Sequence, residues 1–209
     1  MKSSHLRAAI LATWLVSAGF VAHAAAPPPA EFPADAFPST YQPLPAQTTL
    51  IRHATIYTGT GERIDDGAVL LREGKIAAIG KQVAAPADAV IIDATGKYVT
   101  PGLVDVHSHL GVYPSPSVDA TANGNEMTNP NTAQVMAEHA VWPQDPGFNT
   151  ARAGGVTTLQ ILPGSGNLIG GRGVVLKNLP ATTVQAMKFP GAPYGLKMAC
   201  GENPMRVYG

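Results

Sequence analysis

The chain has little cysteine, no excess charge and few aromatic residues. Cys200 is the single cysteine among 209 residues, so an internal disulfide is excluded and the core must rely on packing or on a metal ion. Its mostly apolar surroundings, residues 195–201, predict a buried and inert thiol. Because 14 basic residues balance 14 acidic ones, the charge indicates neither a nucleic acid nor an anionic membrane as partner. A small-molecule substrate is the expected partner.

Long apolar runs are scarce too, and the one that is present lies at the N-terminus. Two basic residues precede the apolar run 8–22, and Ala22-His23-Ala24 fits a small-x-small cleavage site. The pattern predicts a signal peptide over residues 1–24 and export to the periplasm or the extracellular space. A short membrane anchor is the alternative, but the run falls short of the roughly 20 residues that a spanning helix needs. No membrane span is therefore expected after cleavage.

Proline and glycine divide the rest of the chain into three parts. Residues 25–47 are rich in proline, which predicts an extended linker. Residues 48–100 contain short β-rich runs with glycine turns at Glu73-Gly74 and Thr95-Gly96, and they predict a small antiparallel sheet module. Residues 101–209 form the third part.

The third part alternates strands with helical signals. Asp145 is predicted as the N-cap of a helix, Pro146 as its first residue and Gly154-Gly155 as its end. A strand before it and a second strand at residues 156–162 predict a parallel βαβ unit with helices outside the sheet. A further short helix is expected at residues 131–141.

The most informative motif is LVDVHSH, residues 103–109, a predicted buried strand that ends in two histidines. Because alternate side chains of a strand share a face, His107 and His109 point the same way, with Cα atoms about 6.5 to 7 Å apart. Two imidazoles at this spacing are able to bind one metal ion. A chance pair on a solvated strand is the alternative. Asp105, on the same face, is either an orienting partner of the metal ligands or a hydrogen-bonded strand residue.

A glycine-rich segment, residues 163–173, follows the second strand directly. Ligand-facing loops of α/β barrels lie at such positions, so the segment is expected to border the active site. It lacks the Gly-Lys-Ser/Thr ending of a nucleotide-binding loop. Backbone requirements alone are the other explanation of its glycines. Arg172 within it is a candidate for binding a substrate carboxylate, and a surface salt bridge is the alternative role.

The segment PGLVDVHSH, residues 101–109, resembles the signature of the amidohydrolase superfamily, the metal-dependent hydrolases that include dihydroorotases, imidazolonepropionases and imidodipeptidases. Residues 163–177 and 195–209 look like an exported bacterial branch related to imidazolonepropionase. The resemblance implies an α/β fold: a small N-terminal β-sandwich over residues 48–100, then the first part of a (β/α)8 TIM barrel over residues 101–209.

The resemblance also implies that His107 and His109 bind one or two divalent metal ions, usually zinc. In the family, water activated by the metal attacks an amide or related carbon, and an acidic side chain passes the proton to the leaving nitrogen. The remaining ligands, commonly a carboxylated lysine or a glutamate, two histidines and an aspartate, are expected beyond Gly209, as is the catalytic acid. Glu202, after a predicted third barrel strand at residues 195–201, is a further candidate metal ligand. A loop acid paired with Arg206 is the alternative.

Three functions stay open at this point. The first is hydrolysis of non-peptide amide or cyclic amide bonds, and the second is an exported metallo-dipeptidase of the same superfamily. A barrel needs about 250 residues on average, so the chain is expected to be an N-terminal fragment. Zinc sites normally take at least three protein ligands, which makes a catalytically inert truncated product the third hypothesis. The oligomeric state stays open.

Overall fold

Two β-sheets, three short helices and long connecting loops make up residues 35–209, which are the residues that the computed structural model describes. The strands are β1 (Thr49–Tyr57), β2 (Arg63–Arg72), β3 (Lys75–Gly80), β4 (Val90–Asp93), β5 (Tyr98–Val99), β6 (Leu103–Ser108), β7 (Val156–Ile161), β8 (Ile169–Lys177) and β9 (Gly195–Met198). The helices are α1 (Pro146–Ala153), α2 (Val184–Met187) and α3 (Glu202–Tyr208), and single 3-10 turns lie at Asp119–Thr121 and Ala137–His139.

The predicted signal peptide, residues 1–24, and the first ten residues of the predicted linker lie outside the described residues. From residue 35 to the end of the chain, no helix has the length and apolar character needed to cross a membrane. The described part of the linker has no regular secondary structure, but it packs on the region of α2. Ser39 Oγ donates to the carbonyl of Lys188 at 2.6 Å, and Thr40 N donates to the carbonyl of Gln185 at 2.9 Å.

The first sheet has the strand order β3-β2-β1-β4, with β5 also beside β1. The prediction of antiparallel strands is confirmed for β1, β2 and β3, and the hairpin between the last two turns at Glu73 and Gly74 with φ of 53° and 71°. Positive φ at both central residues is the geometry that matches the twist of a two-residue hairpin. The prediction is wrong for β4 and β5, which run parallel to β1. The described residues form one sheet here, and a second layer of a sandwich stays a prediction.

The second sheet has the order β6-β7-β8-β9. Strands β6 and β7 are parallel, and α1 lies in the connection between them, which confirms the predicted βαβ unit. The next two pairs, β7 with β8 and β8 with β9, are antiparallel, so the sheet is mixed rather than parallel throughout. The fold is therefore a mixed α/β one, with its main core between this sheet and the segments that cover it. That core contains Val112, Phe148, Leu159, Ile161, Val174, Leu176 and Met187.

The predicted boundaries of α1 are confirmed. Asp145 is its N-cap and accepts a hydrogen bond from Gly147 N at 2.8 Å, Pro146 is the first helical residue, and Gly154 is the C-cap. Strand β7 ends at Ile161, one residue before the predicted end.

The glycine-rich segment differs from its prediction, because only residues 163–168 form a loop and β8 begins at Ile169. Its glycines permit close backbone approach within this strand. A Cβ on Gly171 would lie 2.6 Å from the carbonyl oxygen of Val135, and one on Gly173 would lie 2.7 Å from that of Ile161. The backbone explanation of these glycines is therefore correct for the strand part of the segment.

The predicted helix at residues 131–141 is reduced to the 3-10 turn at Ala137–His139. Backbone pairing with β8 takes the place of helical hydrogen bonds in this segment. Asn131 and Met136 form parallel bridges with Ile169 and Arg172, and Arg172 N donates to the carbonyl of Val135 at 2.7 Å. The same pairing explains why glycine is needed on the β8 side.

The prediction that LVDVHSH is a buried strand is wrong for its apolar residues. Leu103, Val104 and Val106 are 58%, 62% and 68% exposed. The physical reason is the place of β6 at the edge of the described sheet, beside β7. Burial begins at Ser108 and continues into the loop that follows.

Candidate metal centre and active site

The two histidines of the motif lie next to each other at the carboxyl end of β6. His107 is in the strand and His109 follows directly after it, and the centroids of their rings are 5.2 Å apart with the planes at 81°. Strand alternation therefore brings both imidazoles to one place, as the sequence predicts. Metal binding by this pair stays a prediction.

A backbone carbonyl determines which nitrogen of His109 is available. Its Nδ1 lies 2.9 Å from the carbonyl oxygen of Leu162, just after β7, so Nδ1 carries the hydrogen and donates it. The lone pair is then on Nε2, which is the tautomer that binds a metal through Nε2. Burial lowers the pKa of His109. The neutral ring that metal binding requires is thereby favoured.

Asp105 forms its hydrogen bond with the backbone. Its Oδ1 accepts a hydrogen bond from the backbone N of His107 at 3.0 Å. Of the two roles open from the sequence, the structure thus favours the hydrogen-bonded strand residue. The carboxylate stabilises the backbone at the position of a candidate ligand.

Lys197 is a functional candidate that the sequence patterns did not reveal. It lies in β9, is buried, and its Nζ donates to the carbonyl of Pro163 at 2.9 Å. Burial lowers the pKa of Lys197. His109 and Lys197 thus hydrogen bond to consecutive carbonyl groups, those of Leu162 and Pro163. The signal available in the sequence was a lone lysine inside an apolar strand, where a charge without a partner is costly.

The other candidate residues lie apart from this arrangement. Glu202 is the first residue of α3, is exposed, and its Oε1 is 3.7 Å from Nε of Arg206, which is the pairing expected of a loop acid. Within residues 35–209, no group of three or more His, Cys, Asp and Glu side chains is arranged to hold a metal ion. Arg172 lies half-buried in β8. The roles of Glu202 in metal binding and of Arg172 in substrate binding stay predictions.

The prediction of a buried Cys200 is wrong, because the side chain is exposed. Strand β9 ends at Met198, and the residues that follow leave the sheet before α3 begins at Glu202. The apolar stretch therefore supplies a short strand and a loop, and Cys200 falls in the loop.

A cavity of about 340 Å³ opens beside His109. The loop after β6, the glycine-rich loop 163–168 and α3 form its walls. Tyr113 contacts the ring of His109 edge to face, with centroids 5.6 Å apart. The candidate metal ligand thus borders a space large enough for a small organic molecule.

Comparisons with known proteins agree on one group of relatives. The chain is similar to an amidohydrolase from Thermotoga maritima MSB8, with 42% identity and a TM-score of 0.71 over 77% of this chain and 41% of that one. It is 36% identical to the amidohydrolase tasK of Hapsidospora irregularis over 77% of this chain and 19% of the relative. An imidazolonepropionase from Deinococcus deserti is 33% identical over 50% of this chain and 30% of the relative. No family model matches the chain. The chain thus spans between about a fifth and two fifths of the length of these relatives.

Proposed function

Since the chain belongs to the amidohydrolase superfamily, we propose that the whole protein hydrolyses carbon–nitrogen bonds of non-peptide amides or cyclic amides with the help of a divalent metal ion. The observation that carries the proposal is the pair of adjacent imidazoles at the end of β6, one of which has its Nδ1 hydrogen bonded to the carbonyl of Leu162. Under this proposal, β6 and β7 are the first two parallel strands of a (β/α)8 barrel.

The donor chemistry of the site fits zinc or a similar divalent ion. Imidazole nitrogen is a preferred ligand of zinc, and the Nε2 of His109 carries a lone pair in the tautomer that the structure favours. When bound, the ion supplies Lewis acidity, polarising the substrate carbonyl and making water nucleophilic near neutral pH. The contribution of the protein itself is to orient the imidazoles. The backbone of Leu162 orients His109, and Asp105 holds the backbone of His107.

Lys197 is the residue that we propose as a third member of the metal centre. The family resemblance implies a carboxylated lysine or a glutamate, and Lys197 is a buried lysine whose Nζ donates to the carbonyl of Pro163, the residue after the partner of His109. Its unprotonated amine would add to carbon dioxide, forming an N–C bond as one C=O π bond opens and releasing one proton, and the carbamate would supply oxygen ligands for the ion. Burial lowers the pKa of Lys197, because it disfavours the charged ammonium form, and this favours the unprotonated amine that the addition needs. With ¹³C-labelled bicarbonate, a carbamate ¹³C signal that is lost in Lys197→Met would support this assignment, and its absence from metal-loaded protein would overturn it.

Metal analysis of purified protein tests the central proposal. We expect stoichiometric divalent metal in the wild type, and loss of both metal and amide hydrolysis in His107→Ala and His109→Ala. His53→Ala is the matched control, because His53 lies in β1 and pairs with Asp66 at 2.8 Å. A wild-type protein without metal, or histidine variants with full activity, would contradict the proposal and leave the inert product as the better hypothesis.

Substrate class and export are separate parts of the proposal. Profiling with cyclic amides, linear amides and dipeptides tests the first, and hydrolysis of dipeptides alone would support the metallo-dipeptidase alternative.

Export with cleavage after Ala24 predicts a mature protein that begins at Ala25 outside the cytoplasm. N-terminal sequencing of the exported fraction tests this, and a full-length intracellular product would refute it.

A further inference from the structure

A buried lysine connects the end of the predicted linker with the body of the fold. Lys188 is the C-cap residue of α2, and its side chain is 5% exposed. Its Nζ donates to Asp35 Oδ1 and to the carbonyl of Phe37, both at 2.7 Å, and it lies 2.7 Å from Glu138 Oε2. Tyr194 completes the cluster, because its hydroxyl contacts both carboxylates, at 2.7 and 2.9 Å. Two of the oxygen atoms around the ammonium group therefore come from the linker.

The charged groups of this cluster depend on one another. The side chain of Glu138 is fully buried, and a buried carboxylate is costly unless a cation lies beside it. Burial would lower the pKa of Lys188, but hydrogen bonds to Asp35 and Glu138 hold that pKa above its usual value, so the ammonium group stays charged. If the linker leaves, Lys188 loses two of its acceptors and water must replace them.

Residues 35–41, which we call the strap, make further contacts on the same surface. The ring of Phe37 meets that of His139 edge to face, with centroids 5.0 Å apart. Nζ of Lys177, at the end of β8, lies 4.7 Å from the centroid of the Tyr41 ring, which is a cation–π contact. The two hydrogen bonds to the region of α2 hold the middle of the strap. The strap is thus docked along its whole length.

The strap contacts the long loop that follows the histidines. Glu138 and His139 both lie in the 3-10 turn within residues 131–141. Six residues of that segment line a cavity of about 490 Å³, and Asn125 lies in the wall of this cavity and of the one beside His109. A movement of residues 131–141 would therefore change a cavity that shares a wall residue with the candidate site.

We propose that the strap keeps residues 131–141 closed against β8, and that release of the strap opens this segment while the two sheets persist. The 3-10 turn is the one regular element of the segment, and parts of a protein with little regular hydrogen bonding open at low free energy. The strap adds Asp35 to the ion pair of Lys188 with Glu138, and it adds an aromatic contact. This role does not depend on the chemistry of the metal centre.

Hydrogen exchange measured by mass spectrometry tests this role. In the wild type, peptides from residues 131–141 should exchange faster than peptides from β7, and with a weaker dependence on urea, because a local opening exposes little surface. Asp35→Ala should accelerate exchange in this segment about tenfold or more, as expected from the loss of a charge-assisted hydrogen bond. Phe37→Ala should accelerate it about threefold. Asp35→Glu should retain part of the protection, because it keeps the charge.

The strap and the segment should respond together. The amide of Thr40 reports on the strap, because it donates to the carbonyl of Gln185 in the docked state. In each variant, exchange of the peptide that contains Thr40 and of residues 131–141 should rise by the same factor, since one event releases both.

Two control variants make the outcome specific. Leu44→Ala changes a residue of the same linker that lies beyond the strap and is 61% exposed, and Asp88→Ala removes an exposed carboxylate. Both should leave the exchange rates of residues 131–141 within about twofold of the wild type.

Several outcomes would overturn the inference. Unchanged exchange of residues 131–141 in Asp35→Ala, with or without faster exchange of the strap, would mean that the segment stays closed without the strap. Equal protection of this segment and of β7 in the wild type would mean that it opens only by global unfolding. An effect of the same size in Leu44→Ala or Asp88→Ala would show that the contacts of the strap are not its cause.

Discussion

Replacing Asp145 with alanine should be among the most destabilising single changes near the candidate site. The side chain is 1% exposed and accepts three backbone hydrogen bonds. Gly147 N, at 2.8 Å, is the N-cap contact of α1, while Gly111 N at 2.8 Å and Ser115 N at 3.0 Å belong to the loop after the histidines. The carboxylate of Asp145 thus connects the start of α1 with the loop that follows His109.

The expected loss follows from those three contacts. Removing an N-cap acceptor costs about 1 kcal/mol. Gly111 is buried, so its unpaired N–H adds about 1 to 3 kcal/mol, whereas Ser115 is exposed and water replaces most of its bond. The free energy of unfolding should therefore fall by about 2 to 4 kcal/mol in Asp145→Ala. Asp145→Asn should lose less, because its remaining oxygen still accepts from Gly147 N and Ser115 N, although its NH₂ group cannot accept from Gly111 N.

Urea unfolding followed by circular dichroism at neutral pH measures these differences. Asp88→Ala is the matched control, because it is the same change at an exposed position and should alter stability by less than about 0.5 kcal/mol. A loss in Asp145→Ala no larger than in the control would refute the reasoning. So would an order in which Asp145→Asn is the more damaging variant.

Two further predictions concern the linker and β8. Burial would raise the pKa of Asp35, but hydrogen bonds from Lys188 and Tyr194 hold that pKa below its usual 3.8. The contribution of Asp35 to stability is therefore present above pH 3.8 and is lost as the pH falls through its folded-state pKa. Asp35→Asn should therefore lower the thermal midpoint at pH 7, and a difference from wild type that persists undiminished in acid would contradict this. Gly171→Ala should cost about 2 kcal/mol or more, because φ is 121° and the new Cβ would lie 2.6 Å from the carbonyl of Val135. Gly191→Ala, at φ of 71° with open space around it, should cost only about 1 kcal/mol in the same denaturation assay.

Features of the fold with a local cause could be predicted from the sequence. The helix that begins after Asp145 follows from a cap and a proline, and the hairpin at Glu73-Gly74 follows from turn chemistry. The adjacency of His107 and His109 follows from strand alternation alone. Each of these inferences needs information from fewer than ten consecutive residues.

Features with a distant cause could not be predicted in this way. The direction of β8 depends on pairing with β7 on one side and with β9 on the other. The exposure of the apolar residues in β6 depends on which strands flank it, since an edge strand and a central strand have the same local pattern. Helix α3 borders the cavity beside His109 because it packs on a loop about 40 residues earlier, through Asn203 and Ser165.

The end of β7 connects a feature with a local cause, the adjacent histidines, to one with a distant cause, strand pairing, because the backbone of β7 orients the candidate site. Leu162 N donates to the carbonyl of Ser108 at 2.9 Å, which extends the parallel pairing of β6 and β7, and the carbonyl of Leu162 then accepts from the ring of His109. The next carbonyl, that of Pro163, accepts from Lys197. The orientation of His109 is thus a consequence of strand pairing, and the tautomer suited to metal binding through Nε2 is set by the backbone. A substitution that shifts the register of β7 against β6 should therefore impair metal binding even when both histidines are retained.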